Sequence, residues 1–219
     1  LASIRTLWAG TRPAPTFLLM LKVGLTGSIA VGKSYICEVL RELGAFVLDA
    51  DVTAREVVAP ETRGWKLIVG NFGREVLQSD NTINRAKLGA LVFADEGRRR
   101  LLNSIVHPLV IEAQNEWLKS IENESPEAIA VIDAALMIES GGYRRFDKLI
   151  VVWCEPETQI ERLMARNGLS REEALQRINA QMPQEEKKRF ADFLIETTEG
   201  FEAARRQTVE VFERLRLLV

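Results

Sequence analysis

Residues 27–34 read Gly27-Ser28-Ile29-Ala30-Val31-Gly32-Lys33-Ser34. This is G-x-x-x-x-G-K-S, a pattern whose residue types serve one chemistry. The glycines let the backbone curl so that its N–H groups face phosphate oxygens. The lysine reaches the β- and γ-phosphates, and the serine hydroxyl can ligate Mg²⁺. The candidate nucleotide contacts are Gly27, Ala30, Val31, Gly32, Lys33, Ser34 and the following Tyr35.

Three acids and several bases stand where they can act on a bound triphosphate. Asp49 and Asp51 close a short apolar run, and a carboxylate there can accept a proton from a nucleophilic hydroxyl or help to hold Mg²⁺. Extended geometry continued past Asp49 would put both acids on one side. Asp51, followed by the helical run Val52–Val58, also suits a helix cap. Arg55 lies four residues on, near the same helix face, as a clamp for a substrate phosphate or as a plain surface ion pair. Asp133 ends a second apolar run, as a Walker B acid near the metal would, so Ser34 and Asp133 are the candidate Mg²⁺ ligands. Arg162 and Arg166 belong to a polar, arginine-bearing stretch over about 156–190. Such a stretch is either a solvated face or a mobile flap that excludes water and neutralises charge on a transferring phosphoryl group. His107, seen alone before Pro108, reads as structural.

Apolar runs at Leu21–Thr26, Ala45–Leu48, Ala128–Ile132, Lys148–Trp153 and Asp192–Ile195 alternate with helical patterns. That alternation predicts an α/β fold with a parallel sheet covered on both faces. After the glycine-rich loop, Ile36, Val39, Leu40 and Leu43 recur at helical spacing and Gly44 follows. The loop therefore lies between a strand and a helix, and phosphates would sit at the positive helix N-terminus. Between about 52 and 122 the pattern is helical almost throughout, an insertion in which Pro108 predicts a break between two helices. Asn167-Gly168 marks a turn between two helices in the 156–190 stretch, whose apolar face is thin.

The 219 residues suffice for one α/β domain with elaborations, and a net charge of −2 gives no general pull toward nucleic acid or anionic membrane. No apolar stretch approaches the ~18 residues of a membrane span. Cys37 and Cys154 are distant in sequence and read as reduced and buried, which suits the cytoplasm. Nothing points to an obligate protein partner. Residues 1–19 fit a signal peptide poorly and carry no motif, so they read as a dispensable N-terminal extension, with Met20 a candidate start and 20–219 the domain.

Together the motifs resemble the dephospho-CoA kinase family. The resemblance runs through Val23–Gly27 into the loop, Val47-Leu48-Asp49-Ala50-Asp51-Val52-Thr53-Ala54-Arg55, Leu88–Phe93, Ile105-Val106-His107-Pro108-Leu109-Val110, Gln159–Arg166 and Gln181-Met182-Pro183 with Lys187–Asp192. It implies a P-loop kinase fold of the nucleoside monophosphate kinase type: three layers, a five-stranded parallel sheet, a helical CoA-binding subdomain over about 52–122 and a lid over about 156–190. It implies transfer of the ATP γ-phosphoryl to the ribose 3′-hydroxyl of dephospho-CoA, with Mg²⁺. It makes Asp51 the catalytic base, with Lys33 and Arg166 catalytic, and Asp51, Arg55, His107, Leu136, Glu139 and Arg162 substrate-binding. The family's loop usually reads G-G-I-G-S-G-K-[ST]-T; here Ser28, Ala30, Val31 and Tyr35 depart from it, and Ala30 predicts an ordinary backbone conformation. The family's P-L-L-[FI]-E appears as Ala135-Leu136-Met137-Ile138-Glu139, and its late D-N-x-G as Glu196-Thr197-Thr198-Glu199-Gly200. A nucleoside monophosphate kinase would lack the D-A-D-x-x-A-R and H-P segments. A regulatory GTPase would carry N-K-x-D and D-x-x-G, which this chain does not.

Overall fold

A computed structural model of the chain describes residues 20–219; the proposed extension at 1–19 lies outside the described residues. Five strands, β1 (Leu21–Thr26), β2 (Phe46–Asp49), β3 (Ile129–Asp133), β4 (Lys148–Trp153) and β5 (Phe193–Glu196), form one sheet of order β2-β3-β1-β4-β5. Every pairing is parallel. The observed strands match the five apolar runs within a residue or so. Asp49 and Asp133 are themselves the last strand residues, opposite each other in register. β1 is central, so the loop that follows it leaves from the middle of the sheet's carboxyl edge, where ligands bind in such folds.

Side-chain alternation explains the layers. Ile150 and Val152 of β4 join Leu21, Val23 and Leu25 of β1 on one face. That face is covered by Ile36, Cys37 and Leu40 of α1 (Lys33–Glu42) and by Ala204, Val211, Phe212 and Leu215 of α9 (Phe201–Arg216). Leu149 and Val151 of β4 point the other way, with Ala130 and Ile132 of β3, onto Leu118 and Ile121 of α5 (Glu96–Glu124) and onto Met137 and Ile138. A sheet buried on both faces needs such unbroken apolar strands.

The 52–122 region builds a second core. Trp65, Ile68 and Phe72 of α3 (Arg63–Phe72) meet Val76, Ile83, Leu88 of α4 (Arg85–Ala94) and Ile105 of α5. α2 (Ala50–Glu56) links this core to the sheet. The expected break at Pro108 does not occur: α5 runs unbroken through it. Proline forfeits one helical N–H and crowds the preceding turn, a cost of about 3 kcal/mol. Packing by α2, α3 and α4 along α5 offsets that cost, a tertiary override of a local signal.

α6 (Pro156–Asn167) and α7 (Arg171–Asn179) form a helical hairpin turning at Gly168, and α8 (Gln184–Lys188) leads back to β5. Ile160, Leu163 and Ala174 make a small core of their own, onto which Ile29 and Ala30 of the glycine-rich loop pack.

Candidate active site

The loop between β1 and α1 is shaped by close approach. A side-chain carbon on Gly27 would fall 2.4 Å from the Val152 carbonyl oxygen, so only glycine lets the loop press against β4. Gly32, at φ 89, turns the chain into α1, whose N-terminus has no side-chain cap and no acid in its first turn. The free N–H groups and the helix dipole there favour an anion. Ala30 departs from expectation: it sits at φ 62, in the left-handed region, rather than in an ordinary conformation. A non-glycine residue there costs roughly 1–2 kcal/mol, so neighbouring contacts must impose the loop's shape.

A cavity of about 330 Å³ opens on this loop, lined by Ala30 through Tyr35, Arg162, Arg166, Thr197, Gly200 and Phe201. Ser34 is exposed to it. Tyr35 and Phe201 pack ring to ring with centroids 4.6 Å apart, and Phe201 is 69% exposed, an open aromatic surface at the cavity wall. Sequence reasoning missed Thr197 and Phe201; the only signal was their position around Gly200, in the segment that departs from the late family motif.

Lys33 Nζ stands 3.8 Å from Asp133 Oδ1, an ion pair too long for a hydrogen bond. Asp133 Oδ2 accepts from Cys37 Sγ at 3.5 Å, while the buried Oδ1 has no hydrogen-bond partner. Burial raises the Asp133 pKa; Lys33 and the Cys37 bond pull against it, and Asp49 and Asp51 add to it. Burial, with Asp133 beside it, pushes the Cys37 thiol so far up that it stays neutral, and burial also raises Cys154. Both thiols are buried, as the sequence suggested. A buried carboxylate oxygen with no hydrogen bond, paired only with Lys33, and a serine hydroxyl exposed on the loop are the kinds of donor a hard, oxygen-seeking Mg²⁺ takes. Such an ion is commonly held by one or two protein oxygens plus substrate phosphates. Among the described residues no group of three or more His, Cys, Asp or Glu that could hold a metal ion occurs.

Asp49 and Asp51 do not share a strand face. The chain turns helical at Ala50, and the Asp49 carboxylate caps α2, accepting from the N–H groups of Asp51 at 2.7 Å and Val52 at 3.2 Å. Asp51 is exposed in the first turn of α2, its side chain left uncommitted by the cap. Arg55, one turn on, lines a second cavity of about 320 Å³ in the helical region, with Arg85, Val58, Ile68, Leu88 and Val106.

The remaining candidates divide. Arg166 lines the first cavity, its Nε donating to Asn167 Oδ1 at 3.0 Å. Arg162 also lines it, but its guanidinium is spent on Thr197, donating to the hydroxyl at 2.8 Å and the carbonyl at 2.7 Å. Glu139 is engaged by the fully buried Lys187 Nζ at 2.9 Å and by the Met182 N–H at 3.2 Å. Leu136 is exposed in the segment after β3. His107 is exposed on α5 and lines neither cavity.

A phosphate-binding loop on the central strand of a five-stranded parallel sheet, with an acid at the end of the neighbouring strand, defines a P-loop kinase. The family description "Dephospho-CoA kinase" matches residues 21–202. The chain belongs to the dephospho-CoA kinase family. A dephospho-CoA kinase of Syntrophus aciditrophicus is 44% identical over 196 residues, covering 90% of this chain and 83% of that one. Among solved structures, a Thermus thermophilus protein aligns with a TM-score of 0.77 at 31% identity, over 89% of this chain and 96% of its own. The dephospho-CoA kinase of Campylobacter jejuni aligns with a TM-score of 0.62 at 26% identity, over 90% and 98%.

Proposed function

We propose that this chain transfers the γ-phosphoryl group of ATP to the ribose 3′-hydroxyl of dephospho-CoA, giving coenzyme A and ADP, the last step of coenzyme A synthesis. The observation that carries the reading is the Lys33–Asp133 pair at the mouth of the phosphate loop, with Asp51 at the start of the helix beside it. Family membership supports the choice of acceptor. The triphosphate lies against the loop N–H groups, with Lys33 on its β- and γ-phosphates. The adenine ring of ATP rests against Tyr35 and Phe201. Ser34 and Asp133 are the residues that would hold Mg²⁺, which when bound neutralises charge on the phosphates.

The acceptor enters from the helical side, over 52–122. The second cavity, apolar with Arg55 and Arg85, suits a flexible pantetheine arm and a pyrophosphate. The 3′-oxygen attacks the γ-phosphorus, the bond from phosphorus to the β,γ-bridging oxygen breaks, and Asp51 takes the hydroxyl proton. Little covalent work falls to the protein, so positioning and charge supply most of the rate. Arg166, on the proposed lid over 156–190, closes on the transferring group and excludes water. Turnover of ATP with and without dephospho-CoA tests the reading. ADP release that depends on dephospho-CoA, with coenzyme A as product, is expected; equal ADP release without it would overturn it.

A further inference from the structure

The two polar backbone groups of Ile29, the residue before the strained Ala30, are both held by side chains of the 156–190 segment, Gln159 on α6 and Gln181 after α7. The Ile29 N–H donates to Gln181 Oε1 at 2.8 Å, and its carbonyl accepts from Gln159 Nε2 at 2.7 Å. Gln159 is 2% exposed, and its own oxygen accepts from Gln184 Nε2 at 2.9 Å. Gln184 in turn straddles Cys154 just past β4, accepting from its N–H and donating to its carbonyl, both at 3.1 Å. The amide orientations follow from the backbone. Cys154 N–H requires an oxygen, which turns the Gln184 nitrogen toward Gln159, which turns the Gln159 nitrogen toward Ile29. On the other side of Ala30, the Val31 carbonyl accepts from the buried Thr197 hydroxyl at 2.8 Å, and Arg162 fixes Thr197. Ala30 itself lies on the Ile160, Leu163 and Ala174 core.

We infer that Gln159 and Gln181, backed by Gln184, are positioning residues that hold the phosphate loop in its nucleotide-ready shape across a position where alanine is forced into a left-handed conformation. The physical logic is a division of labour. Glycine at position 30 would adopt φ 62 without cost. Alanine does not, so the loop needs ties on both sides, and Gln159 and Gln181 supply them on the Ile29 side. Untied, the loop spends part of its time in an ordinary α or β conformation at residue 30, and the binding-competent fraction falls. The apparent dissociation constant for ATP rises by the inverse of that fraction. The glutamines touch the loop and do not line the cavity in front of it.

The inference rests on the donor-site reading, but part of its test does not. Gln159→Leu keeps size and removes its bonds to Ile29 and Gln184; Gln181→Met keeps size and removes its single bond to the Ile29 N–H, at the more accessible position. In the nucleotide-free full chain, amide exchange across residues 28–32 should accelerate about tenfold in either variant, since the open fraction sets the exchange rate. Titration with MgATP should show an affinity about tenfold weaker. Combining either change with Ala30→Gly should bring exchange and affinity back to within about threefold of the Ala30→Gly chain, because glycine needs no tie. A merely structural role would lower the melting temperature and leave the glycine change without effect on the loss. Additive losses in the double variants, or exchange across 28–32 unaltered in Gln181→Met, would overturn the inference. Exchange that behaves as stated in a chain that does not bind MgATP would leave the clamp standing and sink the donor reading instead.

Discussion

At the scale of single residues, the two neighbouring aspartates have different work, and the difference is measurable. Asp49 satisfies N–H groups at the start of α2. Asparagine caps a helix nearly as well, whereas alanine loses about 1 kcal/mol. Asp49→Asn should therefore melt with the wild type, and Asp49→Ala about 2–4 °C below it. Asp51→Asn should leave melting unchanged and cost on the order of 10²–10⁴ in kcat, with little effect on ATP affinity. Steady-state kinetics and thermal melts of the three variants decide the assignment; near-normal kcat in Asp51→Asn would remove it as the base. Asp133 has a different signature. Burial raises its folded pKa above the ordinary value of 3.8, so the folded chain holds this proton more tightly than the unfolded chain does. Stability contributed by that proton is full below the ordinary value and is lost as pH rises through the folded one. Wild type should therefore lose melting temperature relative to Asp133→Asn as pH climbs above about 4. Melts of both chains across pH test this; a constant gap would mean that Lys33 fully offsets the burial.

At the scale of elements, most of the fold was legible because each strand is a short apolar run and each loop-to-helix junction carries its own chemistry. β1, the glycine-rich loop and α1 could be read from Leu21 to Gly44 almost residue by residue. Three points were not legible. Ala30 looked ordinary, because the ties that force its φ come from residues more than a hundred positions away. Asp49 looked like a member of a strand pair, because nothing local says whether the chain turns at residue 50 or 52. Thr197 and Phe201 had no motif to mark them and owe their place in the cavity to β5 lying beside β4. Pro108 misled in the opposite direction, since a strong local breaker was overruled by packing on α5. That overruling has a consequence for stability. Pro108 is exposed, so an alanine there restores a helical N–H without touching the core. Pro108→Ala should stabilise the chain by about 1–3 kcal/mol and raise melting by several degrees; a lower melting temperature would show that the proline itself contributes more to the folded chain than its missing N–H costs.

At the scale of the whole molecule, two helical elaborations flank one sheet edge, and the proposed reaction needs both to meet over the phosphate loop. Hydrogen exchange in 156–190 should slow when ATP and a dephospho-CoA analogue are bound together, more than with either alone. Unchanged exchange, together with normal turnover in Arg166→Ala, would leave Arg166 as an ordinary solvated charge. Where such movement can occur is restricted by the ends of the segment. Its entry is fixed through Gln159 to the loop, and its exit through Gln181 and through Lys187, whose ammonium is sealed from water against Glu139 and the Ala135 carbonyl. Shifting either root would strand a buried amide or a buried charge, while the hairpin tip at Asn167–Ser170, turning on Gly168 at φ 63, is bound by neither. The tip is thus the place where a protease would nick the native chain first, and where a bound nucleotide would slow that cut if the hairpin closes on it.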